Sequence, residues 1–180
     1  MHPDFDPQPT LTDGNLTLRP LQADDRDNLH QAASDPAIWA GHPAKERHLR
    51  AVFDPYFDVL LASVSTLVIE HQNQIIGCSR YYEAPDHPNS ISIGYTFLSR
   101  PYWGGQTNRD MKDLMFTHAF ACVDTVWLHI DPSNIRSQRA TARLGATHAY
   151  TSQLDLGLGA TERQSWSISN AAWVAQRRPT

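Results

Sequence analysis

Apolar and polar positions along this chain follow two periods, and their alternation sets out the elements in order. Leu16-Thr17-Leu18-Arg19-Pro20 alternates apolar and polar residues, the two-residue repeat of a short half-buried strand, and Asp24 to Ala33 follows as a short helix stopped by Asp35-Pro36. With Pro43 as a helix start, Leu49, Val52, Phe53, Tyr56, Phe57, Leu60 and Leu61 repeat at three and four, which predicts a long helix with one apolar stripe. Thr66 to Glu70, Ile75 to Tyr82 and Ile91 to Leu98 are β-branched and aromatic runs. They are separated by Gln72-Asn73-Gln74 and by Asp86-His87-Pro88-Asn89, so an antiparallel meander is expected.

Thr107 to Val123 returns to the helical period, with Met111, Leu114, Met115, His118, Ala119 and Cys122 on one face, and Val126 to Ile130 reads as a strand. Strand, crossover helix, strand implies a parallel pair. Asn134 to Leu144 is a further helix, with Gly145 where a left-handed C-terminal cap belongs. Thr147 to Leu154 and Arg163 to Ile168 close the pattern as strands joined by Gly157-Leu158-Gly159. There is no internal repeat or linker, and the fold class is α/β, a mixed sheet layered with helices.

Composition narrows the function. The 180 residues, 41% hydrophobic and 19% charged, are enough for one domain with its own core. The expected division is an N-terminal arm over 1–14, a main domain over 15–170 and a C-terminal tail over 171–180. The arm carries three prolines and is extended, either mobile or docked. The tail, with Trp173 and Arg177-Arg178, is either a docking helix or a loose end. A formal net charge of −4 argues against a nucleic-acid partner. The first 14 residues have neither a basic start nor an apolar core, and no stretch approaches the roughly 20 apolar residues needed to span a bilayer. The expectation is a cytoplasmic protein with no membrane partner. Cys78 and Cys122 have no ligand or redox spacing and read as small buried hydrophobes. The nine histidines show no metal-binding spacing, so no metal is expected, and His118 reads as a core histidine.

The segment Tyr102-Trp103-Gly104-Gly105-Gln106-Thr107-Asn108-Arg109 joins a predicted strand to a predicted helix. Small residues there allow a tight turn, and the N–H groups of a first helical turn favour an anion such as a pyrophosphate. A nucleotide-like cofactor is one reading; an ordinary strand-to-helix turn is the other.

Two segments together go further: Ile93-Gly94-Tyr95-Thr96-Phe97-Leu98 with Tyr102-Trp103-Gly104-Gly105, and Asp131-Pro132-Ser133-Asn134-Ile135-Arg136-Ser137-Gln138-Arg139-Ala140 ending at Leu144-Gly145-Ala146. With the order of elements from Leu16 to Ile168, they resemble the GNAT superfamily of N-acetyltransferases, and most of all its RimJ/RimL-type branch. The resemblance implies an acyl-CoA N-acyltransferase fold, a mostly antiparallel central sheet with one parallel, splayed strand pair flanked by helices. It implies acetyl-CoA as co-substrate, its pyrophosphate against Gly104, Gly105, Gln106, Thr107, Asn108 and Arg109 beside Trp103, and its arm along the backbone of Tyr95, Phe97 and Leu98. The family pattern is Gln or Arg, two residues, Gly, one residue, then Gly or Ala. Trp103, Gln106 and Asn108 depart from it, and Gln106 in place of glycine implies either crowding or a backbone conformation unfavourable to a side chain.

Amide formation from a thioester needs an unprotonated amine, donors for a developing oxyanion and a proton for the departing thiolate, with no covalent enzyme intermediate. The resemblance gives Asn134 to the cofactor arm and points Ser137 toward the sulfur; Asn134 also reads as a helix N-cap. Relatives often carry a tyrosine further along that helix, where this chain has Thr141, and a glutamate at the start of the fourth strand, where it has Ser92. His129 is then the candidate base, against the alternative of a surface or cross-strand histidine, with Glu83 and Asp131 weaker. Trp39 and Tyr56, with Trp166, are candidates for an aromatic substrate wall, against a simple core role. The function expected is acetyl transfer from acetyl-CoA directly to a primary amine in a ternary complex. The alternative is a non-catalytic GNAT-fold binding or regulatory protein. Strand edges and the arm of this fold commonly support dimers, so a homodimer is a further expectation.

Overall fold

The computed structural model describes residues 1–157 and 159–177. Leu158 of the glycine-rich loop and Arg178 of the tail, with the two residues after it, lie outside the described residues. The elements run β1 (Leu11–Asp13), β2 (Leu16–Pro20), α1 (Arg26–Ala33), α2 (Arg50–Ala62), β3 (Thr66–His71), β4 (Gln74–Tyr82), β5 (Ile91–Leu98), α3 (Thr107–Ala119), β6 (Thr125–Ile130), α4 (Ile135–Arg143), β7 (Thr147–Asp155), β8 (Ala160–Ser169) and α5 (Asn170–Arg177). The strands form a sheet in the order β1-β2-β3-β4-β5-β6-β8-β7. β5 and β6 pair in parallel, as a helical crossover requires, and β1/β2, β2/β3, β3/β4, β6/β8 and β7/β8 are antiparallel. This is the mixed α/β architecture that the periodicity implies. The chain divides into two compact units, an N-terminal one of residues 6–81 and 95–115 and a C-terminal one of residues 1–5, 82–94 and 116–180.

In the N-terminal unit, Gln72 and Asn73 both take left-handed φ, 52° and 63°, so the two-residue turn between β3 and β4 matches the twist of the strands it joins. Leu29, Ala32 and Ala33 of α1 and Phe53, Tyr56, Phe57 and Leu60 of α2 close a core over Val68, Cys78 and Phe97. Helix α2 begins at Arg50, not near Pro43. Residues 41–49 are turns, and Leu49 is the extended N-cap, 48% exposed, so the buried stripe starts at Phe53.

In the C-terminal unit β6 lies between β5 and β8, and Gly145 takes φ 82° just past α4, the left-handed cap read from the sequence. Helix α3 stops at Ala119, so Cys122 sits in the following turn, half-buried and unbonded to Cys78. Both ends of the chain are docked here: the Phe5 ring packs 4.9 Å from the His118 ring, and Trp173 of α5 packs edge-on to Phe116 at 4.9 Å. His118 is accordingly half-buried rather than fully enclosed.

Candidate functional site

β5 and the turn beyond it carry one group of candidate residues. Its parallel ladder with β6 covers two register pairs, Ile91 with Val126 and Ser92 with Trp127, and Tyr95 takes φ 52°, rare for a residue with a side chain. Ser92, at the position where relatives carry an acid, is fully buried and its Oγ has no hydrogen-bond partner. Beyond β5, a 3-10 turn over Arg100–Tyr102 leads to Trp103, whose indole N–H donates to the Leu98 carbonyl at 2.7 Å.

Gly104 then takes φ 70°, and a Cβ built on Gly104 or Gly105 would meet no atom within 4 Å. The glycines therefore serve backbone turning and an open outer face rather than tight packing. The Gln106 carbonyl accepts the N–H groups of Arg109 and Asp110, opening α3, and its side-chain amide donates to Asp110 Oδ1 at 3.0 Å. Neither Gln106 nor Asn108 has positive φ, so the backbone conformation feared for Gln106 falls on Gly104 instead. Thr107, Asn108 and Arg109 form the first turn of α3.

One turn on, Lys112 is buried and makes no ion pair with any described carboxylate. Its Nζ donates to Thr96 Oγ1 at 2.9 Å and Ser79 Oγ at 3.3 Å, and those two hydroxyls bond each other at 2.7 Å. Burial pushes its pKa down to about 7.

The substrate-wall candidates Trp39 and Tyr56 are both buried in the core of this unit. The Trp39 indole donates to the Ala33 carbonyl at 2.8 Å, and its ring lies 5.2 Å from that of Phe97. Tyr56 is less inert, because the Arg47 guanidinium lies 3.9 Å above its ring and 5.6 Å from that of Trp39. The Arg80 guanidinium lies 4.8 Å over the Tyr95 ring. Trp166 belongs to the other unit, where it rests 5.5 Å from His148.

The C-terminal unit carries its own group of candidate residues. Asn134 caps α4, its Oδ1 accepting the Ser137 N–H at 3.1 Å, so the N-cap reading holds and its amide NH₂ remains as a donor. Ser137, one turn on, is half-buried, and Thr141 is buried. The His129 side chain is wholly buried, which corrects the surface alternative. Its Nδ1 lies 2.9 Å from the Tyr82 hydroxyl. Its Nε2 faces Asp86 Oδ1 at 3.5 Å, and neither of those atoms has another partner. A carboxylate only accepts, so the proton belongs on Nε2 and the Tyr82 hydroxyl donates to Nδ1. Burial holds the His129 pKa below the ordinary imidazole value, with Asp86 opposing it. Burial alone would raise the Asp86 pKa, but the Tyr150 hydroxyl at 2.7 Å and the two nearby histidines hold it below the usual carboxylate range. Glu83 pairs with the N-terminal ammonium, and Asp131 accepts from Ser133 and faces Arg163 at 3.5 Å, so both are otherwise engaged.

Sequence reading missed Lys112, Tyr82, Asp86, Arg47 and Arg80. A lysine four residues before Phe116 in an apolar helical stripe was a legible signal; the others meet their partners only through folding.

A model of the Acetyltransferase (GNAT) domain matches residues 15–147. No curated protein matches the chain. Among solved structures, a probable GNAT-family acetyltransferase from Chromobacterium violaceum superposes with a TM-score of 0.79 at 17% identity, covering 97% of this chain and 92% of its own. A GCN5-related N-acetyltransferase from Brucella melitensis gives 0.78 at 16% identity, with 93% and 81% covered. Mycobacterium smegmatis RimJ, solved in complex with CoA-disulfide, gives 0.69 at 19% identity, with 99% and 98% covered. No group of three or more His, Cys, Asp and Glu able to hold a metal ion occurs among the described residues, and none of their helices is long and apolar enough to cross a membrane.

Proposed function

The chain belongs to the GNAT acetyltransferase family, and we propose on that premise that it transfers an acetyl group from acetyl-CoA directly to a primary amine in a ternary complex. The acceptor is a small molecule, an amino acid or a peptide N-terminus. The observation that carries this is the turn at Gly104: left-handed, open on its outer face and followed, after Gly105 and Gln106, by the N-terminus of α3. The non-catalytic alternative rests on Trp103, Gln106 and Ser92, and of these grounds the strained backbone conformation at Gln106 is absent.

Gly104 to Arg109 take the pyrophosphate, the backbone of Tyr95, Phe97 and Leu98 the arm, and the amide NH₂ of Asn134 adds a donor. Acetyl-CoA, when bound, supplies the activated acetyl group. His129, neutral because it is buried, is the base: the proton leaving the amine passes through the Tyr82 hydroxyl to Nδ1, and the Asp86 carboxylate faces the imidazolium that results. Ser137 holds the proton for the departing sulfur. We assign the chain to the RimJ/RimL-type branch on the two segments quoted above, and to the cytoplasm, as a homodimer without nucleic-acid, membrane or metal partner.

Calorimetric titration with acetyl-CoA tests the reading. Micromolar binding is expected, weakened by Asn134→Ala and little changed by Gln106→Gly, whose side chain is tied to Asp110. Absence of binding to the wild type sinks it.

A further inference from the structure

Two guanidinium groups of the N-terminal unit, Arg47 from the turns before α2 and Arg80 from β4, are half-buried and make no ion pair with any described carboxylate. Arg19, Arg26, Arg50 and Arg100 of the same unit all do. The Arg47 guanidinium instead lies over the rings of Tyr56 and Trp39, and that of Arg80 over the ring of Tyr95. A guanidinium held over a π face by its charge does not spend its N–H donors on that contact. Arg80 spends only Nε, on Ser65 Oγ at 3.2 Å. Tyr95 packs against the same core cluster that contains Tyr56 and Trp39, so the rings that carry the two guanidinium groups belong to one locality.

We infer that Arg47 and Arg80 form the subsite for a carboxylate on the acceptor, so that the amine substrate is an amino-acid-like molecule bearing its own carboxylate. This rests on the acetyltransferase reading above. Planar fork donors match a carboxylate edge to edge, and a stacked guanidinium has already lost much of the freedom that binding would otherwise take from it. The aromatic rings beneath it lower the local dielectric and strengthen the pair. Tyr95 links the subsite to the chemistry, because Arg80 stacks on the residue that turns β5 just where the proposed arm-binding backbone begins. Trp39 and Tyr56 thus act on the substrate as the platform for Arg47 rather than as an open wall.

The test is a panel of matched acceptors assayed by thiol release from acetyl-CoA: β-alanine against β-alaninamide, glutamate against its diamide, and the dipeptide Glu-Ala against Gln-Ala. The free acids are expected to exceed their amides by about tenfold to a hundredfold in kcat/KM at equal amine protonation. Arg47→Gln and Arg80→Gln should bring that ratio toward one, and Arg47→Lys should keep part of it. Because the readout is a ratio within one protein, partial misfolding does not imitate the result. A preference confined to Glu-Ala over Gln-Ala would place the carboxylate on a peptide side chain and overturn the amino-acid assignment. Acetyl transfer to amines with no preference for acids, or a preference untouched by either glutamine variant, overturns the subsite and leaves the acetyltransferase reading standing. No acetyl-CoA binding and no thiol release with any amine overturns that reading instead. Proton NMR titration with glutarate, wild type against Arg47→Gln, then still decides whether the arginines hold a carboxylate.

Discussion

Lys112 is 4% exposed, its ammonium served by two hydroxyls and by no carboxylate among the described residues, and its pKa falls from 10.5 to about 7. Below pH 7 the folded and unfolded chains both hold this proton and the fold carries the full burden of the buried charge. Between about 7 and 10.5 the unfolded chain keeps a proton that the folded chain has shed, so stability rises with pH through that window, by an amount on the order of 5 kcal/mol in full. Urea unfolding at pH 6.5 and 9.5 should show the rise in the wild type and a much flatter response in Lys112→Met; equal rises in both would contradict the assignment. His129 makes a second pH prediction. Its pKa lies below the ordinary value, so the acid limb of kcat/KM should fall below pH 6.5, and Asp86→Asn, which removes the charge favouring the imidazolium, should move the limb lower still. His129→Gln should cost about 10²-fold or more in rate. Asn134→Ala removes an N-cap and should lower stability by about 1 kcal/mol as well as weaken acetyl-CoA binding, both read by calorimetry. The cap was legible because it depends on three residues of local sequence. The relay was not, since Tyr82, Asp86 and His129 come together only across the sheet.

Elements whose signals are local appear where the spacing puts them, and those that depend on packing shift. The β3/β4 turn, the parallel β5/β6 pair and the cap at Gly145 are all legible from turn residues and period. Helix α2 starts seven residues after Pro43 because Leu49 is extended, and nothing in the period distinguishes an apolar residue that joins the stripe from one left at 48% exposure outside it. Gly77 in β4 shows a constraint that periodicity misses. A Cβ there would stand 2.1 Å from the Phe97 carbonyl oxygen and 3.0 Å from Leu98 Cα, both backbone atoms. Gly77→Ala must push β5 aside, the strand that carries the proposed arm-binding backbone. A loss of about 1–3 kcal/mol in thermal unfolding and a parallel loss of acetyl-CoA affinity are expected; an unchanged Tm would show that β5 yields freely.

At the scale of the whole molecule, Phe5 and Trp173, from the first and last described segments, are structural. Phe5 is 7% exposed and Trp173 2%, each against a residue of the last stretch of α3. Trp173→Ala should therefore destabilise the protein by about 3–5 kcal/mol, and Phe5→Ala by a similar or smaller amount, in chemical unfolding; a Trp173→Ala protein as stable as the wild type would make the tail dispensable. The sequence by itself determined the order of the elements, the mixed α/β class, the caps and turns, and the glycine turn before α3. Those follow from side-chain period and backbone stereochemistry, which act over a few residues. The tertiary structure alone decided that His129 is enclosed between Tyr82 and Asp86, that Lys112 is buried without a counter-charge among the described residues, and that Arg47 lies over the Tyr56 ring. Burial and charge pairing depend on which face of one element another covers, and that is set by contacts between residues far apart in the chain.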